Sequence, residues 1–205
     1  MNKKIKFVLV ISLLFNFVFL SCGSYFVHKK GGISYFKSKM VVFQQQSNAY
    51  ETALYLDRKS TFNILPIRQD SIVFLGDSIT QWTEWSEMFP DQNVINRGIA
   101  GDTTLGMLNR IEDIAKTKPK KVFIMIGVND IGKGMPNIFD NYKQILQKLK
   151  EQSPNTLIYV ESVLPTNGSV DNKKIRSLNN DLKNLCQEQD YEYIDLYSKF
   201  IASNG

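Results

Sequence analysis

From Asp70 onward the chain alternates short apolar runs with longer amphipathic ones. Ser71–Leu75, Asn93–Asn96, Lys121–Ile126, Thr156–Val160 and Tyr191–Leu196 read as strands. They are rich in β-branched residues and apolar on both faces, as strands buried in a parallel sheet are. Helical periodicity falls near Thr83–Met88, Thr104–Lys116, Asn137–Gln152 and Lys173–Glu188. Upstream, Met40–Lys59 predicts a further helix with Phe43, Tyr50, Ala53, Leu54 and Leu56 as candidate buried positions. Such alternation predicts an α/β fold, a three-layer α/β/α sandwich around a five-stranded parallel sheet joined by right-handed crossovers. In sheets of this kind the functional crevice lies beyond the strand C-termini.

The N-terminal pattern is different. Met1-Asn2-Lys3-Lys4-Ile5-Lys6 precedes an uncharged run from Phe7 to Val27, and His28-Lys29-Lys30-Gly31-Gly32 follows. An uncleaved signal-anchor helix fits that length, since about 20 apolar residues cross a bilayer. Leu20-Ser21-Cys22 fits a lipoprotein signal with Cys22 as the lipidated residue, and a simple cleaved signal is the third reading. All three take the domain out of the cytoplasm, to a membrane-anchored, extracytoplasmic location. The expected organisation is therefore a signal-anchor or lipoprotein segment over residues 1–30, a juxtamembrane linker and helix over 31–65, and a globular domain over 66–205.

Charge supports this division. The net charge is +5, but residues 1–40 hold seven lysines and no acid, which leaves 18 basic against 20 acidic residues in the rest. A nearly neutral domain excludes the basic footprint of a nucleic-acid binder. The basic charge sits where a membrane surface would read it. The two cysteines, Cys22 and Cys186, are not expected to pair, and Cys186 reads as a buried structural thiol. With a single histidine, His28, no metal cluster is suggested and no cofactor is expected.

Three short stretches carry the candidate chemistry, each just after a predicted strand. They are Phe74-Leu75-Gly76-Asp77-Ser78-Ile79-Thr80, Asn96-Arg97-Gly98-Ile99-Ala100-Gly101-Asp102-Thr103-Thr104 and Ile126-Gly127-Val128-Asn129-Asp130. Together they supply a serine hydroxyl, a glycine N–H and an asparagine amide, the groups needed to attack an ester carbonyl and hold the resulting oxyanion. Each has a plainer reading. Ser78 could be a helix N-cap, Gly101 a turn glycine before the Thr104 helix, and Asn129 an Asx-turn at the end of strand three. Gly98 fits the turn role better than Gly101. Asp77 reads as a loop-ordering acceptor, and Asp102 and Thr103 as local caps. Trp82 and Trp85 either wall the acyl pocket or pack the short helix. Pro165-Thr166 could line the rim. Asp195 is a tempting triad acid.

The three stretches, in this order and on these elements, resemble the SGNH (GDSL) hydrolase superfamily, in particular the branch of platelet-activating-factor acetylhydrolases and related bacterial esterases. The resemblance covers roughly residues 66–201. It implies strand order 2-1-3-4-5, Ser78 as nucleophile, and Gly101 and Asn129 completing the oxyanion hole, and it implies no catalytic acid at Asp195. The substrate implied is a small acyl ester, such as an O-acetyl sugar or a lysophospholipid. The family's fourth block, Asp-x-x-His, does not occur in this sequence. The expectation is therefore a domain incomplete at its C-terminus and nearly inactive as it stands. The alternative is a binding module for acylated glycan or lipid on a decayed scaffold of the same kind.

Overall fold

The computed structural model describes residues 51–201, together with Ser12, Phe15, Asn16, Tyr25 and Lys29. The chain divides into two compact units, Met1–Asn48 and Ala49–Gly205. The apolar run at 7–27, Cys22 and residues 40–50 of the helix predicted over Met40–Lys59 lie wholly or largely outside the described residues. Among the described residues no helix is long and apolar enough to cross a membrane.

Five parallel strands form the sheet of the second unit: β1 (Ile72–Gly76), β2 (Val94–Gly98), β3 (Lys121–Met125), β4 (Leu157–Glu161) and β5 (Glu192–Ile194). Their order is β2-β1-β3-β4-β5, the order the resemblance implies. Gly76 at the end of β1 pairs with Gly98 of β2 and with Met125 of β3. The three strands that precede the motif stretches are thus neighbours, and their C-terminal ends are level.

Within residues 51–201 the helices are α1 (Ala53–Ile64), α2 (Ser78–Gln81), α3 (Trp85–Met88), α4 (Thr104–Leu108), α5 (Ile111–Ala115), α6 (Val128–Lys133), α7 (Ile138–Gln152), α8 (Asn172–Gln189) and α9 (Tyr197–Phe200). One sheet face, Val73 and Leu75 of β1 with Val122 and Ile124 of β3 and Ile158 and Val160 of β4, is buried in the main core. Helices α4, α5, α7 and α8 supply the rest of that core through Met107, Ile111, Ile114, Tyr142, Ile145, Leu149, Ile175, Leu182 and Cys186. The amphipathic spacing Tyr142, Ile145, Leu146, Leu149 is the i, i+3, i+4, i+7 stripe that makes α7 a surface helix with one buried side. Cys186 is a free, buried thiol, as read from the sequence, and burial pushes its pKa up to about 11.

The second sheet face differs from the expectation of strands apolar and buried on both sides. There Trp85 of α3 stacks on Phe74 with ring centroids 3.6 Å apart, and the stack continues to Phe123 and Tyr159. Towards β4 the cover gives out: Tyr159 is half-buried and Leu157 is 53% exposed. The burial of β4 alternates, so among the described residues the third layer is confined to the β2–β1 end of the sheet. The predicted Thr104–Lys116 helix is two helices, because the chain breaks at Asn109 and Arg110, where the Arg110 side chain turns inward and is buried. In α1 the buried residue is Tyr55, whereas Ala53, Leu54 and Leu56 face solvent. Tyr55 donates from its hydroxyl to the Gly106 carbonyl at 2.8 Å, which sets the side of the helix that packs.

Candidate active site

The nucleophile loop is built by close packing. A Cβ at Gly76 would lie 2.1 Å from Thr80 Oγ1, and one at Gly98 would lie 2.2 Å from the Gln81 nitrogen. Both strands therefore end in glycine because α2 lies directly on them. Asn96 locks this arrangement, its amide donating to the Thr80 and Gln81 carbonyls at 2.9 Å each while its Oδ1 accepts from Gly98 N–H at 2.9 Å. Trp85 adds a bond from Nε1 to the Thr80 carbonyl at 2.8 Å. Trp85 is thus a packing residue, while Trp82 is 71% exposed.

Ser78 is the first residue of α2 and is not its cap. Asp77 is the cap, its carboxylate accepting from Ile79 N–H at 3.0 Å, in line with the loop-ordering role expected of it. The N-cap reading of Ser78 therefore does not hold. Among the described residues the half-buried Ser78 makes no hydrogen bond through its hydroxyl or its backbone N–H.

The Gly101 loop follows β2 as a tight turn, closed by Asp102 N–H donating to the Ile99 carbonyl at 3.0 Å. Gly101 has φ +77°, a left-handed conformation that a side chain opposes, and a Cβ there would meet nothing within 4 Å. The turn glycine is thus Gly101, whereas Gly98 is the last residue of a strand. The Gly101 N–H has no acceptor among the described residues. The loop is held from both flanks: Ala100 N–H donates to Gln81 Oε1 at 2.6 Å, and Lys133 Nζ to the Gly101 carbonyl at 3.0 Å.

Asn129 sits in the first turn of α6, not at the end of β3, which stops at Met125. Its amide donates to the Asp102 carbonyl at 2.9 Å, so it meets the Gly101 loop directly and makes no Asx-turn. One amide hydrogen is used there and the second is free for a ligand. The chain enters α6 through Gly127, whose φ of +129° admits only glycine comfortably.

Each of these three residues has a buried carboxylate next to it in sequence: Asp77, Asp102 and Asp130. Burial, followed by the charges of Asp102 and Asp130, pushes Asp77 up to about 6 against the opposing Ile79 N–H. Burial also pushes Asp130 up to about 6, although the Thr104 hydroxyl and N–H hold it at 2.6 Å and 3.0 Å. Asp102 is raised by burial, opposed first by Arg110. Arg110 Nη2 lies 2.7 Å from its Oδ2 in an ion pair closed to solvent. Asp102 and Thr103 were expected to be local caps. Thr103 is one, accepting from Gly106 N–H at 3.2 Å. Asp102 reaches much further, and its partner Arg110 was not singled out in the sequence.

The remaining candidates are structural. Asp195 is exposed and accepts from Ser198 N–H at 3.1 Å. Thr166 is tied to Asn172 across the loop before α8. Among the described residues no group of His, Cys, Asp or Glu could hold a metal ion.

Comparison with known proteins bears on the family and the fold. The model of the GDSL-like lipase/acylhydrolase family matches residues 74–205. The bovine platelet-activating factor acetylhydrolase IB subunit alpha1 is 31% identical over 104 residues, 48% of this chain and 45% of that protein. The rat alpha2 subunit is 27% identical over 148 residues, 67% of this chain and 64% of its own length. The chain thus spans less than two thirds of either relative. Among solved structures, a Streptococcus pneumonia protein named for platelet activating factor superposes with a TM-score of 0.67 at 23% identity, covering 82% of this chain and 85% of that one. The SGNH-hydrolase family esterase AlinE4 gives a TM-score of 0.52 at 19% identity, over 63% of this chain and 77% of its own. At such identities the two structures speak for the fold alone. The family match spans all three motif stretches and nearly all of the sheet that carries them, and the chain belongs to the GDSL-like lipase/acylhydrolase family.

Proposed function

We propose that the domain carries the nucleophile and oxyanion site of a serine esterase acting on small acyl esters. The observation that supports this best is the pair of unpaired N–H groups, Ser78 and Gly101, on neighbouring strand ends beside an asparagine amide. Ser78 Oγ adds to the ester carbonyl as its proton passes to a base. The carbonyl oxygen becomes an oxyanion that accepts from the Ser78 and Gly101 N–H groups and the Asn129 amide. Collapse expels the alcohol, which takes the proton back, and water then releases the acid from the acyl-serine by the same steps in reverse order.

The base is the missing group. The sequence holds one histidine, His28, and none falls within residues 51–201. We therefore assign this chain a very low turnover, since loss of a triad base costs about 10⁴–10⁶ in rate. The same observation favours a second reading, a module that binds acylated glycan or lipid without cleaving it. Acetyl esters head the substrate classes because relatives carry acetylhydrolase names. O-acetyl sugars fall in that class, and lysophospholipids belong to the wider class of acyl esters. The apolar run at residues 7–27 is proposed to tether the domain to a membrane on its extracytoplasmic side, as a signal anchor or through lipidated Cys22.

The test is hydrolysis of p-nitrophenyl acetate by residues 40–205, alone and joined to a C-terminal segment bearing Asp-x-x-His. The expected result is negligible turnover alone and Ser78-dependent turnover when joined. Robust turnover by residues 40–205 alone would show that another residue acts as base. If the joined protein folds, binds ester and stays inactive, the binding reading takes its place.

A further inference from the structure

Arg110 lies off the motif stretches but is wired into two of them. Its guanidinium is buried, with Nε and Nη2 donating to Asp102 Oδ2 at 3.0 Å and 2.7 Å. Nη2 also reaches the Gly76 carbonyl at 3.3 Å, and Nη1 the Arg97 carbonyl at 2.9 Å. Gly76 lies two residues before Ser78 on β1. Arg97 is on β2, and Asp102 adjoins Gly101. One planar group therefore fixes the end of the nucleophile strand, the oxyanion-side strand and the loop that carries the glycine donor.

Asp102 extends the connection. Its Oδ1 accepts from Thr103 N–H at 2.8 Å, and its backbone carbonyl accepts from the Asn129 amide at 2.9 Å. A shift of Asp102 would thus move the Gly101 peptide and release Asn129 together. Arg110 is held in turn from α1, where the Phe62 ring centroid lies 6.0 Å from its guanidinium carbon. A lysine could keep the charge at this position, but it could not bond a carboxylate and two carbonyls in one plane.

We infer that Arg110 is a positioning residue that sets the spacing of the three oxyanion donors through Asp102, beyond holding the fold together. The inference rests on the reading of Ser78, Gly101 and Asn129 as the acyl-transfer site.

The test compares wild type, Arg110→Lys and, as a distant charge control, Arg68→Lys, using the nitrogen-15-labelled full chain. Amide resonances of Ser78 and Gly101 and the Asn129 side-chain amide are recorded well below the unfolding temperature, with sodium acetate as the oxyanion probe. Arg110→Lys is expected to displace the Gly101 and Asn129 signals and to weaken acetate binding about tenfold, a factor equal to one decade in Kd. Arg68→Lys is expected to do neither, because Arg68 pairs with Asp70 on the exposed N-terminal side of β1. A merely structural arginine would lower the unfolding temperature and leave the signals and the acetate affinity of the folded protein unchanged, and that result overturns the inference. If Arg110→Lys does not fold, Asp102→Asn takes its place with the same expected displacement and the same overturning result. If acetate fails to move the Gly101 signal in wild type, the esterase reading falls, while the displacement in the variant still decides the role of Arg110.

Discussion

Two glycines three residues apart in one motif should both lose stability on substitution by alanine, but to different degrees and for different reasons. At Gly98 a methyl group would sit 2.2 Å from the Gln81 nitrogen and 2.7 Å from both the Gln81 Cα and the Thr80 carbonyl carbon. All three atoms are backbone of α2, so no rotamer change relieves the clash. The helix carrying Ser78 must move by roughly 1 Å to restore ordinary contact, against the Asn96 bonds and the Trp85 stack. Overpacking of this kind costs about 1–3 kcal/mol, and the rigid partners here place it at the upper end. At Gly101 the methyl meets nothing within 4 Å, and the whole cost is the strain of φ +77°, about 1 kcal/mol. For a domain of about 150 residues these figures correspond to unfolding-temperature losses of about 6–12 °C for Gly98→Ala and about 2–4 °C for Gly101→Ala. Thermal and urea unfolding of residues 40–205 measure both without requiring activity. A Gly98→Ala protein within 0.5 kcal/mol of wild type, on the order of surface substitutions, would show that α2 is not pressed onto β2. The packing argument for the nucleophile loop would then be wrong.

Acidification should stabilise the domain. Asp77 and Asp130 titrate near 6 when folded against an ordinary 3.8, so the native state holds more protons between those values. Stability is then highest below about pH 4 as far as these groups are concerned, and is lost as pH rises through about 6, by on the order of 1–3 kcal/mol each. Unfolding temperature measured from pH 4 to 8 should fall over that window, and Asp130→Asn should flatten the fall. A profile that rises across it would contradict the burial assigned to these carboxyls. In cells, the full chain should fractionate with membranes. Cys22→Ser should abolish lipid labelling if Cys22 is acylated and leave attachment intact if residues 7–27 span the bilayer, while recovery wholly in the soluble fraction would refute the tether.

The sheet was legible because strands advertise themselves by composition. Val73, Leu75, Val122, Ile124, Ile158 and Val160 are β-branched or aliphatic and form the buried face, and the strand limits fall within a few residues of those expected. Legibility failed where a polar side chain turns into the protein. Arg110 lies in a stretch whose neighbours Ile111, Ile114 and Ala115 keep helical spacing, so nothing in the pattern reveals the break it makes. Its buried partner is eight residues away, and neither charge is visible as half of a pair until the loop closes. Asn129 was placed correctly in the motif but on the wrong element, because Gly127 reads as a loop residue and here starts a short helix. The alternating exposure of β4 was equally hidden. Leu157 and Tyr159 are apolar and β-forming whether or not anything covers them.

The electrostatics of the site follow from where its carboxylates find donors. A developing oxyanion beside Asp77, Asp102 and Asp130 would be opposed by any charge left uncompensated at low dielectric. Arg110 answers Asp102 with an ion pair, and the Thr104 hydroxyl and N–H answer Asp130 with neutral donors. Asp77, immediately before Ser78, is held by backbone donors, chiefly the Ile79 N–H, and by no ion pair among the described residues. Burial raises its pKa to about 6, so it is largely neutral only below that pH, and at neutral pH its charge stands beside Ser78. The Ser78 hydroxyl has no hydrogen-bond partner among the described residues. Asn96, Asp102 and Arg110 thus hold the loops around Ser78, Gly101 and Asn129 in place, whatever group takes the Ser78 proton in the proposed esterase.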